Sequence, residues 1–153
     1  MSAMANTFTQ IYIQIVFAVA GRECLLRKEN KEELHKYTTG ILRNNGQKLI
    51  EINSMPDHVH ILIGLKPSMA LSDLVKDIKS ESSGFINEKK WIRGRFNWQE
   101  GYGAFSVSIS NTPAVVEYIR NQENHHRKIS FEDEYLALLK KHEISFDPKY
   151  VFG

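Results

Sequence analysis

The chain has little of what would staple, anchor or unfold it. Cys24 is its single cysteine, which excludes an internal disulfide and a cysteine-built zinc site and suits a reducing compartment. Leu25 and Leu26 beside it predict a partly buried, inert thiol. No apolar run approaches the roughly 18–20 residues of a membrane helix, and the apolar stretch 11–17 lacks the basic leader of a signal peptide. The expectation is a cytoplasmic protein without a membrane partner. Repeats, low-complexity tracts and linkers are missing too, so residues 1–153 are expected to form one domain. Excess charge of one sign is also lacking: the net charge of +2 is too small to argue for a nucleic-acid partner by itself.

The chain does hold 42% hydrophobic and 25% charged residues, enough apolar material for a core without staples. Its most informative stretch is Pro56-Asp57-His58-Val59-His60-Ile61-Leu62-Ile63. Side chains alternate across a strand, so His58, His60 and Leu62 share one face and Val59, Ile61, Ile63 and Leu65 the other. The aliphatic face belongs in the core. The other presents two imidazoles side by side, either as hydrogen-bonded histidines or as ligands of a divalent ion that needs a third donor.

Residues from about 9 to 20 alternate as a strand. Asn30 with Glu33 has the form of a capping box, opening a helix through Leu34, Thr38, Ile41 and Leu42 that stops at Asn45-Gly46. Residues 48–53 alternate again, 54–57 make a turn, and the histidine strand follows, predicting a hairpin. Apolar positions from Leu71 to Ile86 keep helical phase. Residues 104–109 form a fourth strand. Thr112-Pro113 predicts the start of a third helix running to about His126, and Ser130 with Asp133 opens a further one. Strand, helix, strand, strand, helix, strand, helix is the order of a ferredoxin-like (RRM-like) α+β sandwich. One antiparallel four-stranded sheet is covered by helices on one face, leaving the other for ligand.

Two further groups carry chemistry. Tyr118 and Gln122 stand a helical turn apart on one face: a phenol can attack phosphorus, and an amide oxygen is a neutral metal donor. The bland alternative for Tyr118 is an aromatic packed on the sheet beside Val115 and Ile119. Lys89, Lys90, Arg93 and Arg95 surround Trp91 and precede Trp98, in a loop that either tracks single-stranded nucleic acid or anchors its tryptophans in the core. Lys79, His125, His126 and Arg127 are further candidates for DNA contact, although the last three also suit a solvated helix end. His125 or His126 could instead complete the metal site, but adjacent residues on a helix diverge, so both cannot easily be ligands.

Three stretches in order, Pro56-Asp57-His58-Val59-His60, Trp98-Gln99-Glu100-Gly101-Tyr102-Gly103-Ala104-Phe105-Ser106-Val107-Ser108, and Tyr118-Ile119-Arg120-Asn121-Gln122-Glu123-Asn124-His125-His126, resemble the single-tyrosine HUH transposases of the insertion-sequence-200/605 type. The resemblance spans roughly Phe8 to Phe146. It implies a small homodimeric enzyme that binds hairpins in single-stranded DNA and cleaves and rejoins strands through a 5′-phosphotyrosine. It further implies His58, His60 and Gln122 as ligands of magnesium or manganese, and Tyr118, carried on a C-terminal helix, as nucleophile. The family places the tyrosine helix of one subunit against the histidines of the other. Two alternatives share parts of this reading: a domesticated repeat-associated tyrosine nuclease with the same residues, and a non-catalytic single-strand-binding module. The latter needs exposed aromatics on the central strands, where this chain has His58, His60, Ser106 and Ser108.

Overall fold

The computed structural model describes residues 7–153. Its four strands are β1 (Tyr12–Ala18), β2 (Lys48–Met55), β3 (His58–Gly64) and β4 (Gly103–Val107), joined antiparallel in the order β2-β3-β1-β4. With helices α1 (Lys31–Asn44) and α2 (Leu71–Lys89) between them, this is the ferredoxin-like arrangement expected from the sequence. Hairpin β2-β3 turns through Pro56-Asp57 alone, setting Met55 opposite His58 and Asn53 opposite His60. On the central strand β1, Ala18 pairs with His58 and Val16 with His60.

Period-two alternation divides the core in two. Ile15, Phe17, Val59, Ile61 and Ile63 pack against Ile41 and Leu42 of α1 and Leu74, Val75 and Ile78 of α2. Complete burial of such side chains stabilises by about 1.5–3 kcal/mol each. The opposite face, expected to stay free for ligand with helices on one side only, is covered as well. Val16, Ala18 and Phe105 pack there against Phe131, Tyr135 and Leu139 of α5 (Phe131–Lys141). The physical reason is the second apolar stripe on β1: Val16 and Ala18 are as buried as Ile15 and Phe17, and a strand apolar on both faces needs a layer on each.

The expected third helix divides. Helix α3 (Thr112–Arg120) ends at Asn121, with φ −92° and ψ 18°, and a short turn, α4 (Gln122–His125), follows. Asparagine side chains compete for local hydrogen bonds, and Asn124 Nδ2 donates to Asn121 Oδ1 at 2.9 Å at the break. Tyr118 thus lies on α3, while the C-terminal helix is α5, so the nucleophile candidate is not carried by the last helix. Asn53 Nδ2 of β2 donates to the Ile119 carbonyl at 2.8 Å, fixing the end of α3 over the sheet.

Smaller departures have local causes. Asn30 closes a 3₁₀ turn and makes no side-chain cap, so the capping box does not form, whereas Ser130 Oγ accepts from Asp133 N at 3.2 Å as expected. Strand β4 ends at Val107 because a 3₁₀ turn at Ile109–Asn111 leads into α3. Cys24 is exposed rather than partly buried, and the little burial it has, with the Asp57 charge, pushes its thiol up. An upward shift keeps it protonated and inert. No helix among the described residues is long and apolar enough to cross a membrane.

Candidate metal and tyrosine site

The hairpin turn and strand β3 deliver the first groups. His58 and His60 are both fully buried, on the same face, with ring centroids 5.1 Å apart. His58 Nδ1 donates to Asp57 Oδ1 at 2.7 Å, which turns Nε2 inward. There it lies 3.2 Å from Gln122 Oε1. The Nδ1 of His60 meets the Gln14 amide at 3.1 Å, again leaving Nε2 to face the centre.

The centre is occupied by a residue that sequence reasoning passed over. Glu134, 2% exposed, brings Oε1 to 3.0 Å from His60 Nε2, 2.9 Å from His126 Nε2 and 3.5 Å from His58 Nε2. Its Oε2 accepts from Gln122 Nε2 at 3.1 Å and from the Tyr118 hydroxyl. A signal for it exists. Phe131, Tyr135, Leu138 and Leu139 mark the apolar stripe of α5, and Glu134 falls inside that stripe, three residues from Phe131 and four from Leu138. A carboxylate there must find partners or be excluded from the core.

The electrostatics follow from burial and this sharing. Burial pushes the His60 imidazole down, more than Glu134 raises it. Burial works against charge on Glu134, but hydrogen bonds from His126, His60 and Tyr118 and attraction to His60 prevail and hold the carboxyl well below its usual range. Burial likewise opposes charge on His126, where the Glu134 hydrogen bond and charge prevail and raise the imidazole. Burial, then the Glu134 charge and hydrogen bond, pushes the Tyr118 phenol far up. Among the described residues, His58, His60, His126 and Glu134 offer ligand atoms all within 4.8 Å of one another. Three nitrogens and a carboxylate oxygen, buried and convergent, are a donor set able to hold a divalent ion.

The remaining candidates are dispersed. Lys79 Nζ donates to the carbonyls of Gln99, Glu100 and Gly101 at 2.8, 3.0 and 2.6 Å, tying α2 to the segment before β4. Lys89 pairs with Glu33 at 2.6 Å. Lys90, Arg93, Arg95 and Arg127 are exposed. Trp98 donates to Ser82 Oγ at 2.9 Å and packs edge-on against Phe17 and Phe96, and Trp91 packs against Phe85, so both tryptophans anchor the loop. His126 belongs to the central cluster. His125 lies beside it, its Nε2 3.4 Å from Glu134 Oε2 yet without a hydrogen-bond partner. A cleft of about 290 Å³ reaches Tyr118 between β4, α3 and α5, with Gln14, Ser106, Asn111, Lys141 and His142 on its walls.

Fold and site together define an α+β ferredoxin-like protein with a buried histidine–carboxylate cluster touching one tyrosine. The chain belongs to the IS200-like transposases: the family profile described as "Transposase IS200 like" matches residues 7–122. It is 29% identical over 122 residues to the ISDra2 transposase TnpA of Deinococcus radiodurans, an alignment covering 75% of this chain and 86% of that protein. With the transposase for insertion sequence element IS200 of Salmonella typhimurium it shares 26% over 125 residues, 78% of this chain and 82% of the relative. A crystal structure of a putative transposase from Deinococcus radiodurans superposes with a TM-score of 0.63 at 26% identity, covering 80% of this chain and 98% of that one. A REP-associated tyrosine transposase bound to a REP hairpin has the same fold, with a TM-score of 0.61 at 15% identity, over 82% and 74% of the two chains.

Proposed function

We propose that this transposase binds hairpins in single-stranded DNA and cleaves and rejoins strands through a 5′-phosphotyrosine on Tyr118, the whole chain acting as one cytoplasmic domain. His58, His60 and Gln122 hold the divalent ion, magnesium or manganese. The observation that carries this reading is the meeting of four residues from separate stretches of sequence at one buried point. Gln122 Oε1 lies 3.2 Å from His58 Nε2, and Gln122 and Tyr118 both donate to the carboxylate that His60 touches.

The chemistry supplied by a divalent ion at this point is polarisation of a phosphoryl oxygen. The chain's own groups do the rest. The cleft beside β4 admits the strand, and Lys141 on its wall offsets phosphate charge. Tyr118 Oη attacks phosphorus, and the P–O3′ bond breaks. Glu134 Oε2, which accepts the hydrogen bond of the Tyr118 hydroxyl, orients Oη for attack, and the phenol proton passes through water to the departing 3′ oxygen. Attack by another 3′-hydroxyl on the phosphotyrosine reverses the step and rejoins strands without ATP, because the ester exchange conserves the bond energy. Lys90, Arg93, Arg95, Arg127 and His125 contact the DNA, while Lys79 contributes by holding the segment before β4, Lys89 by its pair with Glu33 at the end of α2, and His126 from within the cluster.

The enzyme acts as a homodimer that shares its sites. In support, α3 buries only Ile119 among its nine residues, and a helix so lightly held can exchange between copies at small cost. The test uses labelled single-stranded hairpin DNA and a denaturing gel, with and without manganese or magnesium. The expected result is a metal-dependent covalent band that Tyr118→Phe abolishes while hairpin binding persists; an adduct that survives Tyr118→Phe overturns the assignment.

A further inference from the structure

Two residues in the cluster lie beyond residue 122, where the family match ends. We infer that His126 and Glu134 are themselves ligands of the divalent ion, so that this chain closes its metal site with an imidazole from the turn after α4 and a carboxylate from α5. The inference rests on the metal-dependent reading above and specifies its donor set.

Three independent features of the geometry support it. The first is spacing. Two ligand atoms at about 2.0–2.1 Å from one ion stand roughly 2.9 Å apart in octahedral and 3.4 Å apart in tetrahedral coordination. The Glu134 Oε1 separations from the three imidazole Nε2 atoms are 2.9, 3.0 and 3.5 Å, spacings that one ion can bridge as well as the hydrogen bonds that now occupy them.

The second is the outer contact of each ring. A metal-binding histidine donates its other N–H to a carboxylate or carbonyl, which fixes the tautomer and aims the ligating nitrogen. His58 does this to Asp57 Oδ1, and His126 does it to the Ile129 carbonyl, its Nδ1 lying 2.8 Å away. Nothing in the packing of a solvated helix end requires that second contact. The Gln14 amide occupies the corresponding place at His60, and amide orientation is interchangeable between donor and acceptor.

The third is burial. Glu134 is held in the core by polar partners only, on a stripe otherwise made of Phe131, Tyr135 and Leu138. An apolar residue there would pack as well, so the carboxylate serves something other than packing. With Gln122 Oε1 the set becomes three nitrogens and two oxygens, leaving one position of six for a phosphate oxygen. Magnesium favours oxygen and keeps its waters, whereas manganese accepts imidazole. Between the two, the site therefore prefers manganese.

The experiment is direct Mn²⁺ binding to the full-length protein without DNA, read by loss of the free-ion EPR signal, with circular dichroism confirming the fold. Wild type should bind one ion more tightly than it binds Mg²⁺ in competition, and Glu134→Gln and His126→Asn should each weaken Mn²⁺ binding at least tenfold. Should Glu134→Gln fail to fold, His126→Asn decides, since its amide can still donate to the Ile129 carbonyl. If both variants bind as wild type does while His58→Ala/His60→Ala loses the ion, this inference falls and the metal-dependent reading stands. If wild type binds no ion even with hairpin DNA present, the metal-dependent reading falls and takes the inference with it.

Discussion

At the residue scale, the two histidines of β3 were legible because alternation forced them onto one face of a strand whose other face is aliphatic. Gln122 and Tyr118 were legible through helical spacing and through resemblance. Glu134 was hidden by its neighbours: Glu132 and Asp133 make the first turn of α5 read as an ordinary acidic N-terminus that complements the helix dipole. Only its phase against the apolar stripe distinguishes it. His126 was legible in part: in the polar run 121–128 one of two adjacent histidines could complete a metal site, but nothing in the run distinguished it from His125 or from a DNA contact. Away from this cluster, His35 provides a test of burial. Its Nε2 bonds to Ser54 Oγ at 2.9 Å, and burial, with Lys31 adding to it, pushes the ring down from 6.5 to about 4. Between these values the unfolded chain binds a proton that the folded chain does not. The contribution of His35 is thus fully present above pH 6.5 and lost progressively as pH falls through about 4. Allowing for the part of the ring left in water, the loss amounts to about 2 kcal/mol. Urea midpoints of wild type and His35→Gln, compared at about pH 7.5 and about pH 4.5, should show the variant losing less stability on acidification by roughly that amount. Equal losses would mean that His35 does not titrate as its burial requires.

At the scale of elements, strand and helix order followed from periodicity, because each apolar stripe has one period and one place to go. The layer formed by α5 did not, since a sequence shows that a strand is apolar on both faces more readily than it shows what covers the second. Gly103 marks the contact. A Cβ there would meet Tyr135 Cε1 at 2.9 Å and the Phe105 ring at 3.0 Å, so β4 must begin with glycine for α5 to lie against it. Gly103→Ala should destabilise by about 1–3 kcal/mol, seen as a lowered denaturant midpoint. It should also lower Mn²⁺ affinity, because Tyr135 and Glu134 move together. A variant as stable as wild type would show that α5 docks with slack the packing does not suggest. The break at Asn121 belongs to this scale too: it was invisible to a count of helical spacing, yet it places Gln122 on a separate turn from Tyr118.

At the scale of the whole molecule, one chain already brings Tyr118 to its own histidines, with the His60 and Tyr118 rings 5.7 Å apart. Exchange of α3 between two copies would rebuild the same contacts across a dimer, with the 3₁₀ turn at Ile109–Asn111 as hinge. Mixing Tyr118→Phe with His58→Ala/His60→Ala distinguishes the arrangements. Neither variant alone should form the covalent adduct, and the mixture should regain it, since one site of the mixed dimer then has both an intact histidine pair and an intact tyrosine. A mixture as inert as its components would assign each site to a single chain.

Order along the chain has one more effect. His60 and Glu134 are 74 residues apart, and the helix that carries Glu134 follows β1–β4 and α1–α4 along the chain. At the usual pace of translation, about 5–20 residues per second, the histidine hairpin leaves the ribosome roughly 4–15 seconds before its carboxylate. During that interval the growing chain has the histidine strand and then the tyrosine but no closed cluster. A DNA-cleaving transposase thus lacks its assembled histidine–carboxylate cluster until α5 has been made.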